Sequence, residues 1–352
     1  MVNFDSSDKY IEIKNLKKYY RVESGFMKKV VGYIKAVDGV SFHINKGHTL
    51  GLVGESGCGK STIGRCILRA DEPTEGEVLF NLDGNKMVDI LKFKKNELIE
   101  NGFRRQTHMI FQDPKSSLDP RKTIMDIISE PIIVNNMAKG KDLTECVVEL
   151  MKTVGLDYRY LKRYPHAFSG GQRQRISIAR ALATNPQFIV ADEPTAALDV
   201  SVQTQILNLM KELQEELQLT CLFISHNLGV IRYMCDTVAV MYLGRMAEIG
   251  SNDDIFIKPL HPYTEALLKS IPIADPRISS GIYCIPGEIG NAIDLPSGCY
   301  FHPRCKYADK KCSIEVPELK LISSGHCCAC HHAKSLNLQG IDFKVLNQND
   351  SK

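Results

Sequence analysis

The chain predicts an α/β fold with a parallel sheet at its centre, and three observations carry that prediction. The first is a short apolar strand, Thr49-Leu50-Gly51-Leu52-Val53. It runs into a glycine-rich loop, Gly54-Glu55-Ser56-Gly57-Cys58-Gly59-Lys60-Ser61-Thr62, and then into a helix from Thr62 to Arg69. The second is a pair of apolar strands ending in reactive side chains: Phe188 to Ala191 leads into Asp192-Glu193, and Thr220 to Ser225 leads into His226. Such strands deliver polar groups to the C-terminal edge of a parallel sheet, where open α/β folds bind ligands. The third is a change of texture after Pro259. Short segments punctuated by Pro and Gly follow, with six cysteines between Cys299 and Cys330. A main domain over residues 1–258 and a small cysteine-rich C-terminal extension over 259–352 are therefore expected.

Taken in order, Tyr10-Ile11-Glu12-Ile13, Val37 to Ile44 and Leu50 to Val53 alternate in strand fashion, with turns at Asp38-Gly39 and Lys46-Gly47. Gly76 to Phe80 reads as a further strand, residues 84–104 as a loop with a short helix, and His108 to Phe111 as a buried strand. From Ile124 to about Val154 the spacing is helical, broken at Pro131 and near Gly140. Val202, Ile206, Leu209, Leu213 and Leu217 recur at steps that keep them on one helical face. Thr237 to Tyr242 and Met246 to Gly250 read as a hairpin around Leu243-Gly244-Arg245. No internal repeat is visible, and there is one phosphate loop.

A hydrophobic fraction of 43% and a charged fraction of 24% are ordinary for a globular chain of 352 residues. A net charge of +3 makes no demand for a nucleic-acid partner, and none is expected. No run approaches the roughly 18 apolar residues that span a bilayer. Met1 to Asp8 lack a basic n-region and an apolar h-region, so no signal peptide is expected. These features predict a cytosolic protein whose membrane role, if any, runs through a partner. Twelve cysteines are many for a reducing compartment, and a cluster such as the C-terminal one points to metal binding or redox chemistry before disulfides.

The glycine loop fits the pattern G-x-x-x-x-G-K-[ST] at each fixed position. Glycines let the backbone wrap an anion with its N–H groups inward, and the following helix adds its positive end. Lys60 would reach the β- and γ-phosphates of a nucleoside triphosphate, and Ser61 would offer its hydroxyl to Mg²⁺. Asp192 would join the Mg²⁺ shell, and Glu193 would orient or activate the attacking water. Gln112 and His226, each ending a strand, would converge on the γ-phosphate. Phe168-Ser169-Gly170-Gly171-Gln172 opens a second glycine-rich helix start, a second anion site. Two phosphate sites with one nucleotide pocket suggest that one of them serves a neighbouring subunit.

In this order the motifs resemble the ATP-binding subunit of an ABC transporter over about residues 10–250. Gly54 to Thr62 would be the Walker A loop, Gln112 the Q-loop, and Ser169-Gly170-Gly171-Gln172 the signature. Asp192 and Glu193 would close Walker B, Ala197-Leu198-Asp199 would be the D-loop, and His226 the switch histidine. The resemblance implies a RecA-like core with an antiparallel β subdomain and a helical subdomain at about 113–170. It also implies a head-to-tail sandwich of two such subunits, with ATP between one subunit's Lys60 loop and the other's Ser169–Gln172. Tyr20 would stack on adenine, with Tyr19 as second choice. Ser61, Gln112 and Asp192 would hold Mg²⁺, Glu193 would be the general base and His226 the γ-phosphate sensor.

Narrower matches resemble the oligopeptide/dipeptide importers, nearest to their F-type ATPase subunit. They are Val53 to Arg65, Phe111-Gln112-Asp113-Pro114 through Arg121, and His261-Pro262-Tyr263-Thr264. That implies a paralogous D-type ATPase partner, two integral-membrane permease subunits met through about Ser116 to Tyr164, and indirectly an extracytoplasmic solute-binding protein. It places the protein at the cytoplasmic face of the cell membrane as a peripheral subunit. Import of nickel or another small solute is the alternative, and a soluble ABC ATPase without a membrane partner is a further one. His48 in place of the usual Glu, and Gly290-Asn291-Ala292 in place of a Pro-rich stretch, depart from the pattern away from the nucleotide.

In the extension, thiolates at these spacings suit zinc or an iron–sulfur cluster. The importer family carries a similar segment that binds a 4Fe–4S cluster; by that resemblance the ligands would be Cys299, Cys305, Cys312 and Cys330. Zinc, with His326, His331 and His332 offering nitrogen ligands, is the alternative, and plain free thiols a further one. A structural role for the group is expected ahead of a redox switch. Cys58 and Cys66 are read as packing residues.

Overall fold

Apolar strands of the kind just described bury both faces only if a sheet is covered on both sides, and that is the arrangement found. In this computed structural model the described residues are 8–24, 29–271, 285, 287, 290 and 293–341. Asn291, Ala292, Cys284 and most of the N-terminal Met1–Asp8 segment lie outside them.

The strands are β1 (Lys9–Ser24), β2 (Lys29–Asn45), β3 (Thr49–Val53), β4 (Glu75–Phe80), β5 (Val88–Asp89) and β6 (Thr107–Ile110). They continue with β7 (Phe188–Asp192), β8 (Thr220–Ile224), β9 (Thr237–Tyr242), β10 (Arg245–Ser251), β11 (Lys320–Ser323) and β12 (His326–Cys328). An antiparallel sheet has the order β2-β1-β4-β5, and a larger sheet the order β11-β12-β10-β9-β3-β8-β7-β6. In the larger sheet β6, β7, β8, β3 and β9 run parallel, β10 runs antiparallel to β9, and β12 antiparallel to β10. Every residue of β3, β7 and β8 is buried.

One face of the larger sheet meets the antiparallel sheet. There Phe80 packs edge-on against Tyr10, Phe103 and Phe188, at centroid distances of 6.0, 5.1 and 5.7 Å. The other face meets the helices Gly170–Leu182 and Val200–Leu217, whose buried Ile176, Ile178, Ile206 and Leu213 join a core reaching Ile124, Ile128 and Val147. These last three lie on the helices Ile124–Val134 and Gly140–Thr153, within the segment expected to be helical.

Three details differ from the sequence reading. The helix at Ile124 does not break at Pro131; it carries the proline, runs to Val134 and is capped by Asn135. An interior proline costs a hydrogen bond and about 3 kcal/mol. Here fully or nearly fully buried Ile124, Ile127, Ile128 and Ile132 hold the helix on the core and outweigh that loss. β1 and β2 run well past their alternating cores, because they pair with each other along their length with bulges that let long strands bend. The extension contributes β11 and β12 to the edge of the main sheet, through Glu248↔Cys328 and Ile249↔Cys327. The β9–β10 hairpin turns as expected, on Leu243 (φ 41°) and Gly244 (φ 83°).

Candidate functional site

The parallel strands bring the glycine loop, Asp192-Glu193 and His226 to one sheet edge. Two loop glycines are obligatory on steric grounds. A Cβ on Gly54 (φ 153°) would sit 2.2 Å from the Met241 carbonyl oxygen, and one on Gly59 (φ 106°) 1.9 Å from that of Ala36. Gly57 (φ 80°) is left-handed but faces open space. The loop is thus pressed onto β9 and β2, and its backbone opens toward the start of the helix Lys60–Ile67. Lys60 is buried, and its Nζ donates to the carbonyls of Gly54 (2.8 Å) and Glu55 (2.9 Å), which holds a cation at the loop. A cradle with two glycine-only backbone positions and a buried ammonium suits a polyphosphate.

Ser61 Oγ donates to Asp192 Oδ1 at 2.9 Å. Burial raises the Asp192 carboxyl above its usual range, with the Ser61 bond opposing and the neighbouring Glu193 charge adding. A divalent cation between this hydroxyl and carboxylate would relieve that burden, and the donor pair fits Mg²⁺. Glu193 sits just past β7 in the left-handed region (φ 45°), a strained backbone for a residue with a Cβ. Its N–H donates to Ile224 O at 2.9 Å, which fixes it against β8. Gln112 Nε2 donates to Glu193 Oε2 at 3.0 Å, and His226 Nδ1 lies 3.0 Å from Glu193 Oε1. Gln112 and His226, expected to end strands, each lie two residues past one, after β6 and β8, and both meet the Glu193 carboxylate.

Tyr20 is partly exposed and donates to Asp71 Oδ2 at 3.1 Å, and its hydroxyl also interacts with Thr62. The Tyr19 hydroxyl instead donates to Asp38. The Lys18 ammonium lies over the Tyr20 ring, 4.9 Å from its centroid. Ser169 and Gln172 form a capping box, with Gln172 N–H donating to Ser169 Oγ and Ser169 N–H to Gln172 Oε1. Gly171 packs so closely on Val202 that a Cβ there would sit 2.4 Å from Val202 Cγ1. Asp199 caps the helix Val200–Leu217 through the Val202 N–H.

Sequence reading missed the extension's contact with the loop. Tyr263, known only as part of a motif, accepts the Glu55 N–H at 2.9 Å, and Arg304 makes a forked pair with the Glu55 carboxylate at 2.7 and 3.0 Å. No local pattern announces a contact across some 250 residues.

In the extension, Cys299, Cys305, Cys312 and Cys330 line one cavity, together with His302 and His332. Burial pushes the Cys299 thiol up to about 11 and Cys330 up to about 12, and Cys305 and Cys312 also rise. A metal held here would have to displace those protons. Cys327 and Cys328 belong to β12. The zinc-candidate His326 is committed elsewhere, its Nε2 2.7 Å from Glu248 Oε1, and His331 Nε2 lies against Glu315 O at 2.9 Å. Asp309, Cys312 and His332 bring donor atoms within 4.8 Å of one another.

The chain belongs to the ABC transporter ATP-binding family, whose profile ("ABC transporter") matches residues 37–196. Residues 247–312 match the "Oligopeptide/dipeptide transporter, C-terminal region" profile. It is 49% identical to the oligopeptide transport ATP-binding protein AppF of Bacillus subtilis, over 91% of this chain and 96% of that one. It is 46% identical to the dipeptide transport ATP-binding protein DppF of Haemophilus influenzae, over 90% and 94%. Among solved structures it resembles the dimeric bacterial ABC transporter cassette MJ0796, with a TM-score of 0.60 and 31% identity, covering 69% of this chain and 98% of that one. The fold is that of an ABC cassette, ATP with Mg²⁺ is its cofactor, and ATP hydrolysis is its reaction. Among the described residues no helix is long and apolar enough to cross a membrane.

Proposed function

We propose that this protein is the F-type ATPase subunit that drives import of oligopeptides or dipeptides from the cytoplasmic face of the cell membrane. The observation that carries the reading is the Gln112–Glu193–His226 constellation beside Lys60, Ser61 and Asp192, joined in one chain to an importer-type C-terminal region. Within it Glu193 acts on the attacking water, Gln112 and His226 report the nucleotide's state, and Ser61, Gln112 and Asp192 hold Mg²⁺. Tyr20 stacks on adenine. Ser169–Gln172 completes the site of a paralogous partner subunit, and the cassette occupies about residues 1–258 with its helical subdomain near 113–170.

Exposed Ile133, Val134 and Met137 on the helical subdomain support a permease contact there. Affinity purification from membranes tests the assembly. Recovery of two permease chains and a second, different ATPase is expected, and recovery of this chain alone sinks the importer reading.

The thiols lining one cavity favour a 4Fe–4S cluster held by Cys299, Cys305, Cys312 and Cys330, which would tie down a small extension with little core of its own. Zinc is the second reading, favoured by the Asp309–Cys312–His332 donors. Anaerobic purification with a visible spectrum and metal analysis separates the two: brown protein with iron and sulfide supports the cluster, colourless protein with zinc replaces it.

A further inference from the structure

We propose that Arg304 and Tyr263 of the C-terminal extension are positioning residues for the ATP site: they hold the phosphate loop in its binding conformation by gripping Glu55. Glu55 follows Gly54 directly. Its N–H donates to Tyr263 Oη at 2.9 Å and its carbonyl accepts from Lys60 Nζ at 2.9 Å. Its carboxylate takes both guanidinium nitrogens of Arg304, at 2.7 and 3.0 Å. Three separate groups thus fix one residue at the loop's entrance, and two of them come from outside the cassette.

The grip is built. Arg304 is 8% exposed and Tyr263 fully buried. Tyr263 packs on Tyr242 (4.7 Å between centroids) and Phe301 (5.2 Å), and Arg304 Nη1 also donates to Tyr242 Oη at 3.3 Å. A forked guanidinium–carboxylate pair sets angle as well as distance. At this burial, removing one partner leaves the other charge stranded. A loop already held in shape surrenders less freedom when phosphate arrives, which raises affinity. Arg304 ends the short turn His302–Arg304 between Cys299 and Cys305, so one turn faces the thiol cavity on one side and the phosphate loop on the other. The inference rests on ATP binding at this loop and stands apart from any metal held by the thiols.

The test is titration of the full-length chain with a fluorescent N-methylanthraniloyl-ATP, in wild type, Arg304→Gln, Glu55→Gln, the double variant and Arg304→Lys. Each single Gln variant is expected to weaken binding roughly tenfold, and the double to be no weaker than the poorer single, because both remove one interaction. Arg304→Lys, which keeps charge and loses the fork, should fall between wild type and Arg304→Gln. In ATPase assays Arg304→Gln should raise KM with kcat within about twofold. Unchanged affinity in folded Arg304→Gln, or effects that multiply in the double variant, would overturn the proposal. If Arg304→Gln does not fold, Tyr263→Phe serves: removing one hydroxyl from a retained ring is expected to weaken binding about threefold, and no change counts against it. Absence of binding by the wild type would instead strike the nucleotide assignment itself.

Discussion

Glu193 combines a strained backbone with an exacting chemical position. A residue with a Cβ at φ 45° persists only where its surroundings hold it, and here the N–H bond to Ile224 O and contacts from Gln112 and His226 do so. The strain aims the carboxylate out of line with β7, away from Asp192, which turns to Ser61. Two adjacent acids thereby acquire different partners, Ser61 for one and Gln112 with His226 for the other, which is the division the proposed Mg²⁺ and water roles need. Glu193→Gln keeps the shape and removes the proposed base. ATP turnover is expected to fall by at least about a hundredfold while ATP binding survives, as measured by phosphate release and nucleotide titration on the same preparation. Comparable turnover in the variant would remove Glu193 from that role. Lys60→Ala should abolish nucleotide binding, since the only buried ammonium described at the loop is lost with it.

Among the elements, the helix Gly170–Leu182 depends on its start. Ser169→Ala removes the cap on Gln172 N–H and should lower stability by about 1 kcal/mol, read from denaturant melts. A fall in hydrolysis by the assembled transporter far beyond that modest loss would mark Ser169 as part of a neighbour's ATP site. The strand β6 carries a pH-sensitive position. His108 Nε2 lies 2.7 Å from Thr184 Oγ1, and burial together with the Arg180 charge pushes its pKa down to about 4. The unfolded chain, with a histidine near pKa 6.5, takes up this proton first as pH falls. The stability that neutral His108 contributes is therefore complete above about pH 6.5 and is lost between there and about 4. Denaturation midpoints from pH 7 to 4.5 should decline more steeply in wild type than in His108→Gln, and parallel declines would refute the assignment.

For the whole molecule, the extension and the cassette share a sheet and a loop. β12 covers the edge of β10, His326 meets Glu248, and Arg304 meets Glu55. Truncation after residue 271 would uncover that edge, which invites strand pairing between molecules, and would leave Glu248 buried without its imidazole. The truncated chain is expected to aggregate and to melt several degrees lower; a soluble, equally stable truncation would show the extension to be dispensable to the fold.

Much of this was legible in the sequence because its causes are local. The loop spacing Gly54 to Thr62, the apolar runs of β3, β7 and β8 and the acids at the end of β7 depend on neighbours in the chain, and they placed Lys60, Ser61, Asp192 and Glu193 at one edge. Pro131 misled because its local cost is outweighed by burial that only packing supplies. His326-Cys327-Cys328 showed no strand pattern because a three-residue strand is defined by the partner it pairs with. The sequence by itself thus determined the cassette and its nucleotide chemistry, whose signals are short-range backbone and spacing requirements. The tertiary structure alone decided that Arg304 and Tyr263 reach Glu55 across the fold, since hydrogen bonds between distant segments follow from chain topology and leave no local trace.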